Sequence, residues 1–271
     1  MRKILLAGFL GIMIISSLYL YYYHRWKFLW ELEKERDVYP VARHSDGTLR
    51  VILIGDSWAE MHYSLQMDQV LKSYLAERLE CQVEVASKGK GGMRSRGIYN
   101  LMFKETVFGT KQLISSGADY CIVFAGINDA SANLGTRQFC HYMQLIIRFL
   151  LSNHVRPVIV EAPDVNIGKL FWRRPFKNLA IDYMRSMMTG CGMYHYAEYR
   201  EALKKMLVDE DLMDDVVYVD VGIWNETGSE LDKQLFLDDQ LHLNRAGYER
   251  MDSSIATAIA EDYKKRCLQN K

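Results

Sequence analysis

Four short stretches of this chain carry side chains suited to nucleophilic chemistry. The first is Gly55-Asp56-Ser57, and the last is Asp239-Gln240-Leu241-His242. A serine hydroxyl attacks poorly unless a neighbouring base takes its proton, and a near-neutral imidazole is the usual base. A carboxylate three residues before a histidine can meet it within one turn and fix its tautomer, leaving the other ring nitrogen to accept a proton. Between them stand Gly126-Ile127-Asn128-Asp129 and the glycine-rich run Ser87-Lys88-Gly89-Lys90-Gly91-Gly92-Met93-Arg94-Ser95. An asparagine amide and free glycine N–H groups are donors that can hold an oxyanion. The first and last stretches also have an ordinary reading: Asp56 or Ser57 as a helix cap, and a solvated histidine beyond a capping aspartate.

The elements that must position these residues follow from the apolar pattern. Val51-Ile52-Leu53-Ile54, closed by Gly55, reads as a strand buried on both faces. A long helical pattern from Trp58 to about Glu80 follows, then strand signals at Gln82–Ala86, Tyr120–Ala125, Pro157–Glu161 and Val216–Val221. Helical stretches separate them at Tyr99–Ser116, Thr136–Asn153 and Lys177–Val208, and Ala246–Cys267 closes the chain. Strands alternating with helices predict a three-layer α/β/α sandwich around a mostly parallel sheet of about five strands. In such sheets ligands bind beyond the carboxyl ends of the strands. Ser57, the Gly89–Ser95 run and the Asn128 stretch fall after the first, second and third strands.

The chain has 34 Lys+Arg against 34 Asp+Glu, so no global positive field draws it to nucleic acid. About half of its 271 residues are apolar, enough for a substantial core. Five cysteines, odd in number and without a CxxC pair, argue against a disulfide framework and structural zinc. No metal ligands are expected. His24, His44, His62, His141, His154 and His195 read as structural.

At the N-terminus, Ile4 to Tyr23 is uncharged and is followed by Trp26 and Trp30 with Arg25 and Lys27. Its length suits a transmembrane helix with an aromatic belt, and it exceeds the apolar core of a usual signal peptide. The expected organisation is an anchor over 1–27, a membrane-proximal linker over 28–48 and a catalytic domain over 49–271. Arg2 and Lys3 nearly match Arg25 and Lys27, so charge does not set the orientation. A short tail kept in the cytoplasm would leave the domain outside. The expected setting is a single-pass protein of a bacterial inner membrane.

Taken together, the four blocks resemble the SGNH or GDSL family of serine esterases and acylhydrolases, over about residues 50 to 267. Gly55-Asp56-Ser57 is similar to the family's nucleophile block, Gly126-Ile127-Asn128-Asp129 to its GxND block, and Asp239-Gln240-Leu241-His242 to its DxxH block. Ser87 stands where similar members often carry asparagine. The resemblance implies a flavodoxin-like sandwich in which Ser57 attacks an ester carbonyl, His242 relays the proton and Asp239 steadies His242. It implies an oxyanion hole made by Ser57, a glycine of the second block and Asn128. Spacing favours Gly92 for that glycine, with Gly91 as the alternative. The Gly-x-Ser-x-Gly elbow of α/β-hydrolases is absent around Ser57.

The expected reaction is hydrolysis of a short acyl ester, with acetyl on a cell-envelope glycan as the leading example. Acyl transfer from the same triad and a catalytically silent envelope protein are the alternatives. No cofactor is needed. Arg94, Trp172 and Arg173 are candidate substrate contacts, since cations pair with carboxylates and aromatic faces stack on sugars.

Overall fold

The apolar run Val51–Ile54 forms the centre of strand β1 (Leu49–Gly55) in the computed structural model, which describes residues 2–165, 167, 168, 174–228 and 230–269. Leu53 and Ile54 are fully buried, and each such side chain contributes about 1.5–3 kcal/mol on leaving water. Strands β2 (Val83–Gly89), β3 (Tyr120–Phe124), β4 (Arg156–Val160) and β5 (Val217–Val219) complete a five-stranded sheet in the order β2-β1-β3-β4-β5. Every pairing is parallel. All five residues of β3 are buried, whereas Glu84 and Ala86 of the edge strand β2 are exposed. Continuous apolar sequence therefore marks the strands covered on both faces. The expected α/β sandwich with about five parallel strands is what the chain forms.

Register brings three strand ends level. Gly55 lies opposite Gly89 on one side and Phe124 on the other. At Gly55 any side chain is excluded, because a Cβ would lie 2.4 Å from the Phe124 carbonyl oxygen. The segments that leave β1, β2 and β3 are thereby held side by side.

The helices are more broken than the sequence pattern predicts. The expected Trp58–Glu80 helix is two, α2 (Ser57–Ser64) and α3 (Met67–Leu79), interrupted where Gln66 adopts a left-handed conformation at φ 58°. The break turns Asp68 back toward His62, a contact taken up below. The Tyr99–Ser116 stretch likewise yields only α4 (Ser95–Leu101) and α5 (Lys111–Ser115). Past α6 (Ile127–Ser131) and α7 (Thr136–Ser152), the Lys177–Val208 region divides into α8 (Phe176–Thr189) and α9 (Tyr196–Asp209). Gly190, at φ 71°, ends α8 with a left-handed cap. The short α10 (Val221–Trp224) and the long α11 (Arg245–Gln269) close the chain.

Two compact units divide the molecule, Met1–Glu35 and Arg36–Lys271. In the second, residues 36–48 lie along the sandwich: the Tyr39 hydroxyl donates to the Met102 carbonyl at 2.7 Å, and the Ala42 N–H donates to Ser115. In the first, α1 spans Arg2–Arg25. Among the described residues no helix is long and apolar enough to cross a membrane. The apolar run behind the expected anchor starts at Ile4, and the side chains of residues 1–7 lie outside the described ones. The expected transmembrane helix therefore finds no support in the structure.

Candidate active site

Asp56 and Ser57 leave the end of β1 and enter α2. Asp56 caps that helix, one carboxylate oxygen accepting the Trp58 N–H at 3.0 Å. Both readings of the Gly55-Asp56-Ser57 turn thus hold at once: Asp56 is the cap, and Ser57 is left as the first helical residue beside the positive end of the helix.

His242 reaches Ser57 from the segment before α11. Phe236 and Leu243 form an antiparallel bridge, the Leu237 N–H donates to the His242 carbonyl at 2.8 Å, and Gln240 takes a left-handed turn at φ 54°. The Asp239–His242 contact is therefore made in a tight loop and not along a helical turn. One Asp239 oxygen accepts the backbone N–H groups of Leu241 and His242, each at 2.9 Å. The other lies 2.6 Å from His242 Nδ1. His242 Nε2 is 2.9 Å from Ser57 Oγ. With Nδ1–H donating to Asp239, Nε2 is free to accept from the serine hydroxyl.

Asp239 is itself held as a carboxylate. Partial burial disfavours its charge, but the three hydrogen bonds from His242 and Leu241 outweigh that and keep it below its ordinary pKa. Two further bonds tie the histidine loop to the nucleophile helix. The Trp58 indole donates to the Leu241 carbonyl at 3.1 Å, and the buried Tyr248 hydroxyl donates to the Trp58 carbonyl at 2.9 Å.

The oxyanion side is built by two buried carboxyls. Asp56, 2% exposed, accepts the Asn128 side-chain amide on its second oxygen at 3.0 Å. An amide nitrogen carries two hydrogens, so the other remains to face a ligand. Burial pushes the Asp56 carboxyl up to about 7, against the opposing pull of the Trp58 N–H and the Asn128 amide. Asp129 is fully buried and accepts the Ser95 N–H at 2.9 Å and the Ser95 hydroxyl at 2.7 Å. Burial raises it to about 6, while the Ser95 bonds and the charge of Arg94 pull it down. Asp129 thereby pins the end of the glycine loop to the segment that carries Asn128.

Within that loop the two glycines differ. The Gly91 N–H is taken by the Glu60 carboxylate at 2.9 Å. Gly92, at φ 72°, has its N–H bonded to nothing among the described residues, and a Cβ there would meet nothing within 4 Å. Gly92 is the glycine with a donor to offer.

Arg94 is exposed at the start of α4. Trp172 and Arg173 lie outside the described residues. Two surface cavities among the described residues, of about 250 and 530 Å³, share His44 and Arg50 and are not lined by Ser57. Sequence reasoning missed Asp129, Glu60 and Ser95 as supports; the Asn-Asp pairing was the only local sign of the first.

A model of the GDSL-like Lipase/Acylhydrolase family matches residues 53–250. The chain belongs to this family. The matched span includes every residue of the triad and of the donor set just described. Solved structures with the same fold include a protein from Desulfitobacterium hafniense described as lipolytic and of the G-D-S-L family. The two share 15% identity at a TM-score of 0.51, over 77% of this chain and 98% of that one. Another, from Bacteroides fragilis and described as an acylhydrolase, shares 14% at a TM-score of 0.52, over 83% and 92%. A third, from Slackia heliotrinireducens and described as an SGNH hydrolase, shares 16% at 0.51, over 78% and 99%. At these identities the likeness to the GDSL-like structures is one of fold. No curated protein matches the chain.

Proposed function

We propose that this GDSL-like acylhydrolase hydrolyses a carboxylic ester through an acyl-enzyme on Ser57. The observation that carries the reading is the continuous relay from Ser57 Oγ to His242 Nε2, at 2.9 Å, and from His242 Nδ1 to Asp239, at 2.6 Å. Ser57 Oγ attacks the ester carbonyl carbon as its proton passes to His242, and the carbonyl oxygen becomes an oxyanion. The Ser57 N–H, the Gly92 N–H and the free hydrogen of the Asn128 amide receive that charge. Protonated His242 then gives its proton to the leaving alkoxide as the C–O bond breaks. Water, deprotonated by His242, attacks the acyl-enzyme and releases the acid.

The acyl group in this proposal is short, with acetyl the leading example, and the carrier is a cell-envelope glycan. A membrane tether through the N-terminal segment belongs to the same reading. What supports it is the uncharged run from Ile4 to Tyr23 in the sequence. Turnover of p-nitrophenyl acetate by the wild type and by Ser57→Ala tests the core of the proposal: equal rates would remove it. Released acetate without an acylated acceptor is expected; labelling of a sugar acceptor in its place would assign acyl transfer.

A further inference from the structure

Several arginines of this protein are paired with carboxylates. Arg50 meets Asp46 and Glu84, Arg148 meets Glu210, Arg156 meets Asp262, and Arg200 meets Asp164. The loop that supplies the Gly92 donor is different. Lys88, Lys90 and Arg94 flank its glycines, and among the described residues none of the three meets a carboxylate. Lys90 sits 4.6 Å above the Phe108 ring, a contact that leaves its charge uncompensated. Arg94 is exposed two residues beyond Gly92, and its charge is felt at Asp129, the neighbour of Asn128.

The acids nearby are each committed to a neighbouring group. Glu60 is turned onto the Gly91 N–H, Asp56 is buried against Trp58 and Asn128, and Asp239 is committed to His242. The exposed Asp238 lies on the histidine side of Ser57. Around Ser57 the cations without an ion pair therefore stand on the oxyanion loop and the exposed acid on the histidine loop, in a chain whose net charge is zero. A substrate held across Ser57 meets that polarity along its length, and an uncompensated guanidinium is matched by an oxyacid anion.

We propose that the natural ester carries an anionic oxyacid group, carboxylate or phosphate, close to the scissile bond, and that Arg94 binds it with Lys88 and Lys90 adding to the field. This rests on the ester-hydrolase reading and names its substrate class. The anion lies on the Gly92 side of the carbonyl. In that place it favours capture of the substrate more than the chemical step, so the preference is carried mainly by KM.

The test compares three acetyl esters that differ only in charge: 4-acetoxybenzoate, 4-acetoxyphenyl phosphate and the neutral 4-acetoxybenzamide. With the full chain, kcat/KM is expected to favour an anionic ester by about tenfold or more at low ionic strength. The preference shrinks in high salt, as surface charge interactions are screened. Arg94→Gln brings the ratio toward one, and Lys88→Gln with Lys90→Gln lowers it further. Arg43→Gln, an exposed cation lining the cavity at the other end of the strands, leaves the ratio unchanged. The carboxylate and phosphate arms tell the two anions apart. Dissociation constants of the three esters with Ser57→Ala measure the same preference without turnover. Equal kcat/KM and equal dissociation constants overturn the anion site alone. Absence of turnover with a preserved binding preference overturns ester hydrolysis and leaves the anion site standing.

Discussion

Asp56 and Asn128, 72 positions apart in sequence, are joined by a 3.0 Å hydrogen bond in which a buried carboxylate aims the amide at the nucleophile's end of the sheet. The same carboxylate caps the helix that Ser57 begins. One side chain thus orients the nucleophile's helix and an oxyanion donor together. Replacing it by alanine is expected to lower kcat by about tenfold or more, toward the 10²–10³ seen when such a donor is lost outright. A kcat for Asp56→Ala equal to that of the wild type would show that Asn128 is held by other means.

The same group makes activity and stability respond oppositely to pH. Its pKa rises from 3.8 to about 7 on folding, so folding favours its protonated form. Its contribution to stability is full below about pH 3.8 and is lost as pH rises through about 7. Only the ionised carboxylate accepts from both Trp58 and Asn128, so kcat/KM is expected to climb over the range in which that stability is lost. In Asp56→Asn this component disappears from both profiles. Rate–pH curves and urea denaturation of the two proteins across that range check it.

Ser57, His242 and Asp239 act as one unit and their losses do not add. Ser57→Ala or His242→Ala is expected to reduce kcat by about 10⁵–10⁶, Asp239→Ala by about 10⁴, and the triple variant by little more than the first. Single-turnover assays on an activated acetyl ester measure this. Additive losses would mean that the 2.9 Å and 2.6 Å contacts are not used in series.

Asn128→Ala is expected to lower kcat by about 10²–10³ with KM nearly unchanged, because the oxyanion exists only along the reaction path. Glu60→Gln probes the neighbouring loop differently. It keeps an acceptor for the Gly91 N–H, so the loop holds its shape and kcat falls far less. A drop in Glu60→Gln as large as that in Asn128→Ala would move the oxyanion donor from Gly92 to Gly91.

His62 is fully buried with Asp68 at 2.8 Å on one ring nitrogen and Asp252 at 3.1 Å on the other. Burial works against its charge, but the two carboxylates outweigh it and raise its pKa from 6.5 to about 9. The stability from this bridge is full below about 6.5 and is lost as pH rises through about 9. His62→Gln leaves two carboxylates without their cation and is expected to cost about 3–5 kcal/mol near neutrality. Denaturant midpoints measured near pH 7 and near pH 10 should differ in the wild type and much less in His62→Gln.

The parallel sheet and the chemistry at its strand ends were legible because both depend on short-range patterns. Val51–Ile54 and Tyr120–Ala125 are continuous apolar runs, and a glycine follows each. The helix break at Gln66 was not legible, since glutamine is an ordinary helix former placed here in a left-handed turn by its surroundings. His62 read as merely structural because Asp252 lies 190 positions away. Asp129 and Glu60 escaped notice for a similar reason: each acts on the glycine loop from another element.

By itself the sequence determined which groups are available: Ser57, Asn128, Asp239 and His242, each beside a predicted strand end or a capping turn. Propensity and periodicity act over a few residues, and that range suffices to name them. Only the tertiary structure decided how they meet. It closed the Asp239–His242 loop by backbone pairing, engaged Gly91 with Glu60 so that Gly92 is the free donor, and set Asn128 against Asp56. Those outcomes are contacts between distant segments, made when the buried sheet brings β1, β2 and β3 into register and leaves their polar ends to satisfy one another.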